Sequence, residues 1–432
     1  MPQREMPRGG GAFLAGAMVA SARSVGDRAQ RVTWNPRMIA TQETVEAAGS
    51  TVGTATMEPA LELDLHARRR RASKAPTPVW TSADPNGKPR TLGGLTIIIP
   101  AYNEAKFVAD TIKSVQKQTV HVDQIIVVDD CSTDGTGDVA RACGQDIVVI
   151  RPPKNCGSKA SALNFALDYV SSEFTLAIDA DTTIAPDGVE KLLRHFENAN
   201  TGCVCGMVIP RRVQSLWERG RYVEYLYAFT MYKPIQDYYG RPMIASGCFS
   251  AYRTDLLRLL GGWSMRTVGE DMDLTWSMYK LGWDIRFVEE AVCYPVEPHN
   301  WNFLSKQLKR WTAGFAQCVR VHWRDLMHQP MMRSLVAVAL WDALAAIIGM
   351  FVLLPALAIF VHPLFLLGYV LDVPSVAVPV LVAAKKRGEV KKALACLPAF
   401  YLMRFVNCWF VLTSFWNEFV SKRRITVFEK GH

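Results

Sequence analysis

Carboxylates in three short clusters, with one group of an amide, a guanidinium and an indole, are the residues of this sequence that could do chemistry. Asp179-Ala180-Asp181 follows the apolar run 174–178. In an extended chain, residues two apart point the same way, so both carboxylates can converge on one point. Two hard oxygen donors suit Mg2+ or Mn2+, ions that bridge one or two carboxylates to substrate phosphates. A solvated turn is the alternative for such a pair standing alone.

Asp129 and Asp130 open the run Asp-Asp-Cys-Ser-Thr-Asp-Gly-Thr, which again follows an apolar stretch. A carboxylate here can accept from a base N–H or from ribose hydroxyls. Gly135 permits a tight turn and Asp134 can cap a following helix. Asp271, in Gly269-Glu270-Asp271, precedes the helix-like stretch 272–281. It reads either as a cap or as a general base for an acceptor hydroxyl, with Asp273 an alternative carboxylate. Gln307, Arg310 and Trp311 are spaced i, i+3 and i+4, which puts an amide, a guanidinium and an indole on one helical face. Arginine suits phosphate oxygens because its donors form a rigid fork, and a flat indole can floor a sugar ring. The same face also fits an amphipathic helix lying on a membrane.

Between residues 95 and 297, strand-like and helix-like patterns alternate. Strands are expected at 95–99, 124–128, 147–150 and 174–178, and helices at 104–116 and 159–169. This pattern predicts an α/β fold with a mostly parallel sheet and helices on both faces. Ligands in such sheets sit at the carboxyl ends of strands, where the Tyr102-Asn103-Glu104, Asp129-Asp130 and Asp179-Ala180-Asp181 segments fall.

The flanks differ from this middle. The apolar segment 11–22 is too short to span a bilayer, and residues 1–90 read as a disordered or loosely helical basic arm. Arg68 to Arg71 fit a solvated tether or contact with lipid headgroups. Segments 335–361, 363–384 and 393–420 are each long and apolar enough to cross about 30 Å of hydrocarbon, which predicts about three helices in 331–420. The positive-inside rule places the basic linker 385–392 in the cytosol, and one helix out and one back puts the 95–297 segment on the same side. The tail 421–432 then falls outside unless the last segment is re-entrant or interfacial.

The net charge is +9. Its basic clusters fit nucleic acid or an anionic membrane, and the adjoining apolar segments favour the membrane over nucleic acid. Ten scattered cysteines without a CxxC read as free thiols in a reducing compartment, and the eight histidines form no metal motif.

Taken in order, Pro100-Ala101-Tyr102-Asn103-Glu104, Asp129-Asp130 with Ser132 and Asp134-Gly135-Thr136, Asp179-x-Asp181, Glu270-Asp271 and Gln307-x-x-Arg310-Trp311 make the chain recognisable. It resembles the processive family 2 glycosyltransferases, such as hyaluronan, cellulose, chitin-oligosaccharide and poly-N-acetylglucosamine synthases, over about 95–420. The resemblance implies a GT-A (Rossmann-like) domain over 91–300, interfacial helices over 301–330 and an inverting, metal-dependent hexosyl transfer. It assigns the nucleotide to Tyr102, Glu104, Asp129, Asp130 and Lys159. The metal and donor diphosphate go to Asp179 and Asp181, and the base role to Asp271. Gln307, Arg310 and Trp311 would hold the diphosphate and the acceptor end. Gly247 and Cys248 would line the acceptor site, Cys248 as a contact because inversion needs no covalent intermediate.

The implied partners are a UDP-sugar, with UDP-GlcNAc the expected donor, a polysaccharide, lipid or other hydroxyl acceptor, and the bilayer. The resemblance departs in one respect: such synthases carry membrane helices before the catalytic domain, and none is evident here. Oligomerisation or a membrane partner could complete a polymer channel. Transfer of one sugar to a lipid, small molecule or protein is the alternative within enzymes. A non-catalytic membrane scaffold or channel component is the alternative outside them.

Overall fold

A computed structural model describes residues 79–341, 348–423 and 425. The expected apolar segment 11–22 and the Arg68–Arg71 run lie outside them. A short antiparallel ladder of β1 (Trp80–Thr81) and β2 (Arg90–Thr91) opens the described chain, with β1 lying before the boundary expected at 90.

Eight strands then form one sheet. They are β3 (Leu95–Ala101), β4 (Gln124–Asp129), β5 (Ile147–Ile150), β6 (Phe174–Ile178), β7 (Thr183–Ile184), β8 (Thr201–Val208), β9 (Phe249–Arg253) and β10 (Asp284–Tyr294). Their spatial order is β5-β4-β3-β6-β9-β8-β10-β7. The first four are parallel throughout. Beyond β6 the sheet is mixed: β9 runs antiparallel to both β6 and β8, while β10 is parallel to β8. The expectation of a mostly parallel sheet therefore holds for the first half only. Strand β3, Leu-Thr-Ile-Ile-Ile-Pro-Ala, is apolar on both faces because it is central and covered on both sides.

Chain order runs outward from β3 to β4 and β5, then returns to the opposite side of β3 as β6. That reversal is the switch point at which open sheets leave a crevice. Here the crevice is widened because β3 pairs with β4 as far as Ala101↔Asp129 but with β6 only to Ile98↔Ala177. Pro100 falls beyond the last β6 pair, where a residue without an N–H is tolerated.

Helices α1 (Val108–Gln116), α2 (Thr136–Arg141) and α3 (Lys159–Leu167) serve the parallel half. The first starts later than expected, since 104–107 form a turn. Helices α4 (Leu216–Tyr227), α5 (Glu270–Lys280) and α6 (Trp301–Val321) surround the other half.

Two described helices are long and apolar enough to cross a membrane, Pro363–Lys386 and Val390–Val420. They contain α7 (Leu367–Lys386) and α8 (Val390–Phe415). Within the expected first span, 335–361, the described residues include the end of the helix Pro330–Leu340 and the helix Gly349–Phe360, and 342–347 lie outside the described residues. The expected basic linker is only a tight turn, since α7 continues through Lys386 and α8 starts at Val390. Glu389 of that turn accepts from the Tyr222 hydroxyl at 2.9 Å, so the turn rests against α4. Asp372 and Arg404, the charges that interrupt the apolar runs, pair with each other at 2.8 Å. Helix α8 does not stand free. Asn407 bonds Glu224 at 3.1 Å, Ser414 bonds Thr312 at 2.8 Å, Glu418 pairs with Arg320, and the Ile425 carbonyl accepts from Gln317 at 2.8 Å.

Candidate active site

The two turns that follow β3 and β4 are stitched together. Asn103 and Cys131 both adopt left-handed backbone, at φ 53° and 60°. This geometry is costly for most side chains and persists only when the surroundings impose it. Here the Asn103 N–H donates to Ser132 Oγ at 3.0 Å, and Asn103 Oδ1 accepts from the Thr133 N–H at 2.9 Å. The Glu104 N–H donates to Thr136 Oγ1 at 2.8 Å. Asp134 accepts from the Thr136 N–H at 3.1 Å, close to its expected capping role.

Asp129 spends both oxygens inside the protein. Oδ1 accepts from the Ser132 N–H at 3.0 Å, and Oδ2 accepts from Arg151 Nη1 at 2.8 Å. It therefore shapes the turn and orients Arg151, a residue that sequence reasoning missed although it directly follows β5. Asp130 Oδ1 accepts from the Cys156 N–H at 2.6 Å. Pro152, Lys154, Asn155 and Cys156 line a cleft of about 670 Å³ beside it. Tyr102, in the turn after β3, is exposed.

Across the switch point, Asp179 and Asp181 follow β6. Thr111 of α1 donates to the Ala180 carbonyl at 2.8 Å and pins the loop between them. Lys159, at the first turn of α3, pairs with Asp179 and donates to the Gly247 carbonyl at 3.0 Å. The Gly247 N–H donates to Asp271 Oδ2 at 2.9 Å. Because β9 runs antiparallel, its beginning lies beside the end of β6, with Ile178 opposite Phe249. The segment Ser246-Gly247-Cys248 is thereby delivered to the edge that carries Asp179.

Lys159 is the cation among these carboxylates. Burial alone would lower its affinity for a proton, but Asp179, Glu270 and Asp271 outweigh that and raise it. Burial and the neighbouring Asp271 push the Glu270 carboxyl up, against the opposing charges of Lys159 and Arg310. Asp271 and Arg310 are thus brought into one electrostatic group. Asp273 is not an alternative base. It is fully buried and takes Arg266 at 2.7 and 2.8 Å and His322 at 2.6 Å. Burial would raise its carboxyl, but the bonds from His322 and Arg266 hold it well below the usual range.

Helix α6 reaches this group because two glycines meet. A Cβ on Gly314 would stand 2.9 Å from the backbone of Gly269, the residue before α5. Gln307 and Trp311 share a face as expected, and both touch Arg221 of α4. Arg221 Nη2 donates to Gln307 Oε1 at 2.9 Å, and its guanidinium lies 4.5 Å from the Trp311 ring. Nothing in the sequence motifs points to Arg221. Beside it, burial pushes the Glu297 carboxyl up to about 7, with Asp181 adding to the shift and Arg221 and Tyr225 opposing it.

Cys248 is half-buried and follows Gly247, and all ten cysteines are free. Among the described residues, no three His, Cys, Asp or Glu side chains form a metal cage. A pair of carboxylates at a crevice fits an ion that is completed by a ligand's phosphate oxygens.

Comparison with known proteins agrees with this geometry. Residues 96–261 match Glycosyl transferase family 2. The poly-beta-1,6-N-acetyl-D-glucosamine synthase of Staphylococcus epidermidis is 28% identical over 224 residues, 51% of this chain and 54% of that protein. The uncharacterized glycosyltransferase YaiP of Escherichia coli K12 is 32% identical over 241 residues, 54% of this chain and 60% of that protein. The chain thus spans a little over half the length of these relatives. A mannosyltransferase from Pyrobaculum calidifontis, solved with GDP-Man and Mn2+, superposes with a TM-score of 0.52 at 20% identity, over 84% of this chain and 96% of that one. The fold is GT-A, with the two strand-end carboxylates and the antiparallel β9 meeting at one crevice, and residues 96–261 within it match Glycosyl transferase family 2.

Proposed function

We propose that this protein is an inverting hexosyltransferase that moves a sugar, GlcNAc, from UDP-GlcNAc to the growing end of a β-linked polysaccharide. The observation that carries this reading is the chain of contacts from Asp179 through Lys159 and Gly247 to Asp271. It spans the crevice from the donor side to the acceptor side. The poly-N-acetylglucosamine synthase relatives support the choice of sugar and polymer.

In this mechanism the Asp271 carboxylate takes the proton of an acceptor hydroxyl. The hydroxyl oxygen bonds to the anomeric carbon from the face opposite the diphosphate. The bond from that carbon to the diphosphate oxygen breaks, and its electron pair leaves with UDP. Lys159 and Arg310 place positive charge beside the leaving group. Asp130 with the Tyr102–Glu104 turn holds the nucleoside, and Gln307 and Trp311 hold the acceptor. A bound divalent ion, Mn2+ or Mg2+ on Asp179 and Asp181, supplies charge neutralisation at the diphosphate.

The protein is also proposed to be membrane-bound, with its catalytic domain on the cytoplasmic side. Pro363–Lys386 is the better spanning candidate, with 12% of its apolar window buried against 39% for Val390–Val420. Two long apolar helices among the described residues also favour a second reading, transfer of one sugar without export.

Incubating membranes that contain the protein with radiolabelled UDP-sugars, then sizing the product, tests both. A ladder from UDP-GlcNAc supports polymerisation, and a single added sugar supports the second reading. No transfer from any UDP-sugar overturns the function.

A further inference from the structure

Arg221 occupies an unusual position for a side chain outside the recognised motifs. It is 1% exposed. One edge of its guanidinium bonds Gln307 Oε1 at 2.9 Å, and its face lies 4.5 Å from the Trp311 ring centroid. The other side meets carboxylates. Nη1 donates to Glu224 Oε2 at 2.8 Å, and Nε stands 3.8 Å from Glu297 Oε2. Neither Arg221 Nε nor Glu297 Oε2 hydrogen-bonds within the described residues. Glu297 Oε1 accepts from the Tyr225 hydroxyl at 2.8 Å. Glu224 Oε1 accepts from Asn407 of α8 at 3.1 Å.

A buried cation is costly unless paired, and the two carboxylates meet that cost without Gln307 or Trp311. The contacts to those two side chains are therefore additional to charge pairing. Only a planar guanidinium can donate in plane to an amide while stacking its face on an indole. Because Gln307 Oε1 is taken by Arg221, the amide nitrogen is turned away from Arg221. Trp311 remains 41% exposed, so its ring is steadied on one side and open on the other. The base of this arrangement is itself docked. Gly220 approaches α8 so closely that a Cβ would meet Met403 Cγ at 2.2 Å.

We propose that Arg221 is a positioning residue for the acceptor, acting through Gln307 and Trp311 and tying their placement to α8 through Glu224 and Asn407. It sets the plane of the indole and the orientation of the amide, so it governs acceptor affinity and leaves donor affinity alone. This rests on the transfer reading above, in which those two side chains hold the acceptor.

The test uses the full chain purified in detergent, with UDP-GlcNAc as donor and a short β-linked GlcNAc oligosaccharide as acceptor. Donor and oligosaccharide affinities are measured by calorimetry, and the acceptor KM by transfer. Loss of a hydrogen bond to a charged group predicts that Arg221→Met raises the acceptor KM and Kd about tenfold or more, with donor affinity within about twofold. Arg221→Lys keeps the charge but not the fork, and recovers only part. Combining Arg221→Lys with Trp311→Phe adds little to Trp311→Phe alone, whereas a merely structural role gives multiplying effects. Arg221→Lys carries the comparison if Arg221→Met does not fold. Unchanged acceptor KM and Kd in the variants, or fully multiplying effects in the double variant, overturns the proposal. A wild-type protein that binds the oligosaccharide but transfers nothing overturns the transfer reading instead, and the Arg221 comparison then stands on binding.

Discussion

The Gly247 amide donates to Asp271 Oδ2 over 2.9 Å, and the carbonyl of the same residue accepts from Lys159 at 3.0 Å. One glycine thus joins Asp271, the proposed base, to the cation that pairs with Asp179. The two sides of the crevice, proposed to take donor and acceptor, are linked through the two backbone groups of this one residue.

Asp271→Asn keeps the size and removes the proton acceptor. Transfer should fall by roughly 10²–10⁴, the usual worth of a general base, while UDP-sugar affinity stays within about twofold. Single-turnover kinetics with calorimetry separates the two. Transfer at the wild-type rate would show that another group takes the proton.

Asp181→Ala should abolish the part of UDP affinity that depends on Mn2+. Titrating UDP with Mn2+ and then with a chelator measures that part directly. Lys159 and Asp179 remain in the variant, so a weaker, metal-independent affinity should persist. Equal affinity in both conditions for wild type and variant alike would remove the metal role.

Asp273 predicts a pH effect on stability. Its folded carboxyl is held well below the ordinary 3.8 by His322 and Arg266. A depressed carboxylate contributes fully above its unfolded value, and the contribution shrinks as pH falls below that value and is gone once pH passes the folded one. Asp273→Asn should therefore cost about 2–3 kcal/mol at neutral pH, and the gap to wild type should narrow below about pH 4. Melting curves across pH 3–8 in detergent would reveal it, and a gap independent of pH would contradict it.

Gly314→Val should separate α6 from the residue before α5. Its Cβ would stand 2.9 Å from Gly269, and overpacking of this kind costs about 1–3 kcal/mol. Both the melting temperature and transfer should drop. Gly349→Ala, where a Cβ meets nothing within 4 Å, should change neither. Wild-type kinetics in Gly314→Val would mean that this contact does not set the site.

The sequence by itself determined the parallel half of the fold and the polar motifs at its strand ends. The apolar runs of β4 and β6 are continuous and local, and each is followed immediately by its carboxylates, while that of β3 leads into the Tyr102–Glu104 turn. The i, i+4 spacing of Gln307 and Trp311 likewise follows from helix geometry alone. The antiparallel placement of β9 was not legible, because strand direction depends on partners distant in the chain. That placement decides that Gly247 meets Asp271 and Lys159. Asp129, expected at the nucleotide, and Asp273, the alternative to Asp271, are both occupied by tertiary partners: Arg151 and Ser132 on one, Arg266 and His322 on the other. Arg221 carries no motif, since its neighbours at 297, 307 and 311 are reached only through helix packing. Local pattern specifies which groups exist and which face they share. Which of them are spent inside the protein, and which face the crevice, is set by contacts between segments far apart in sequence.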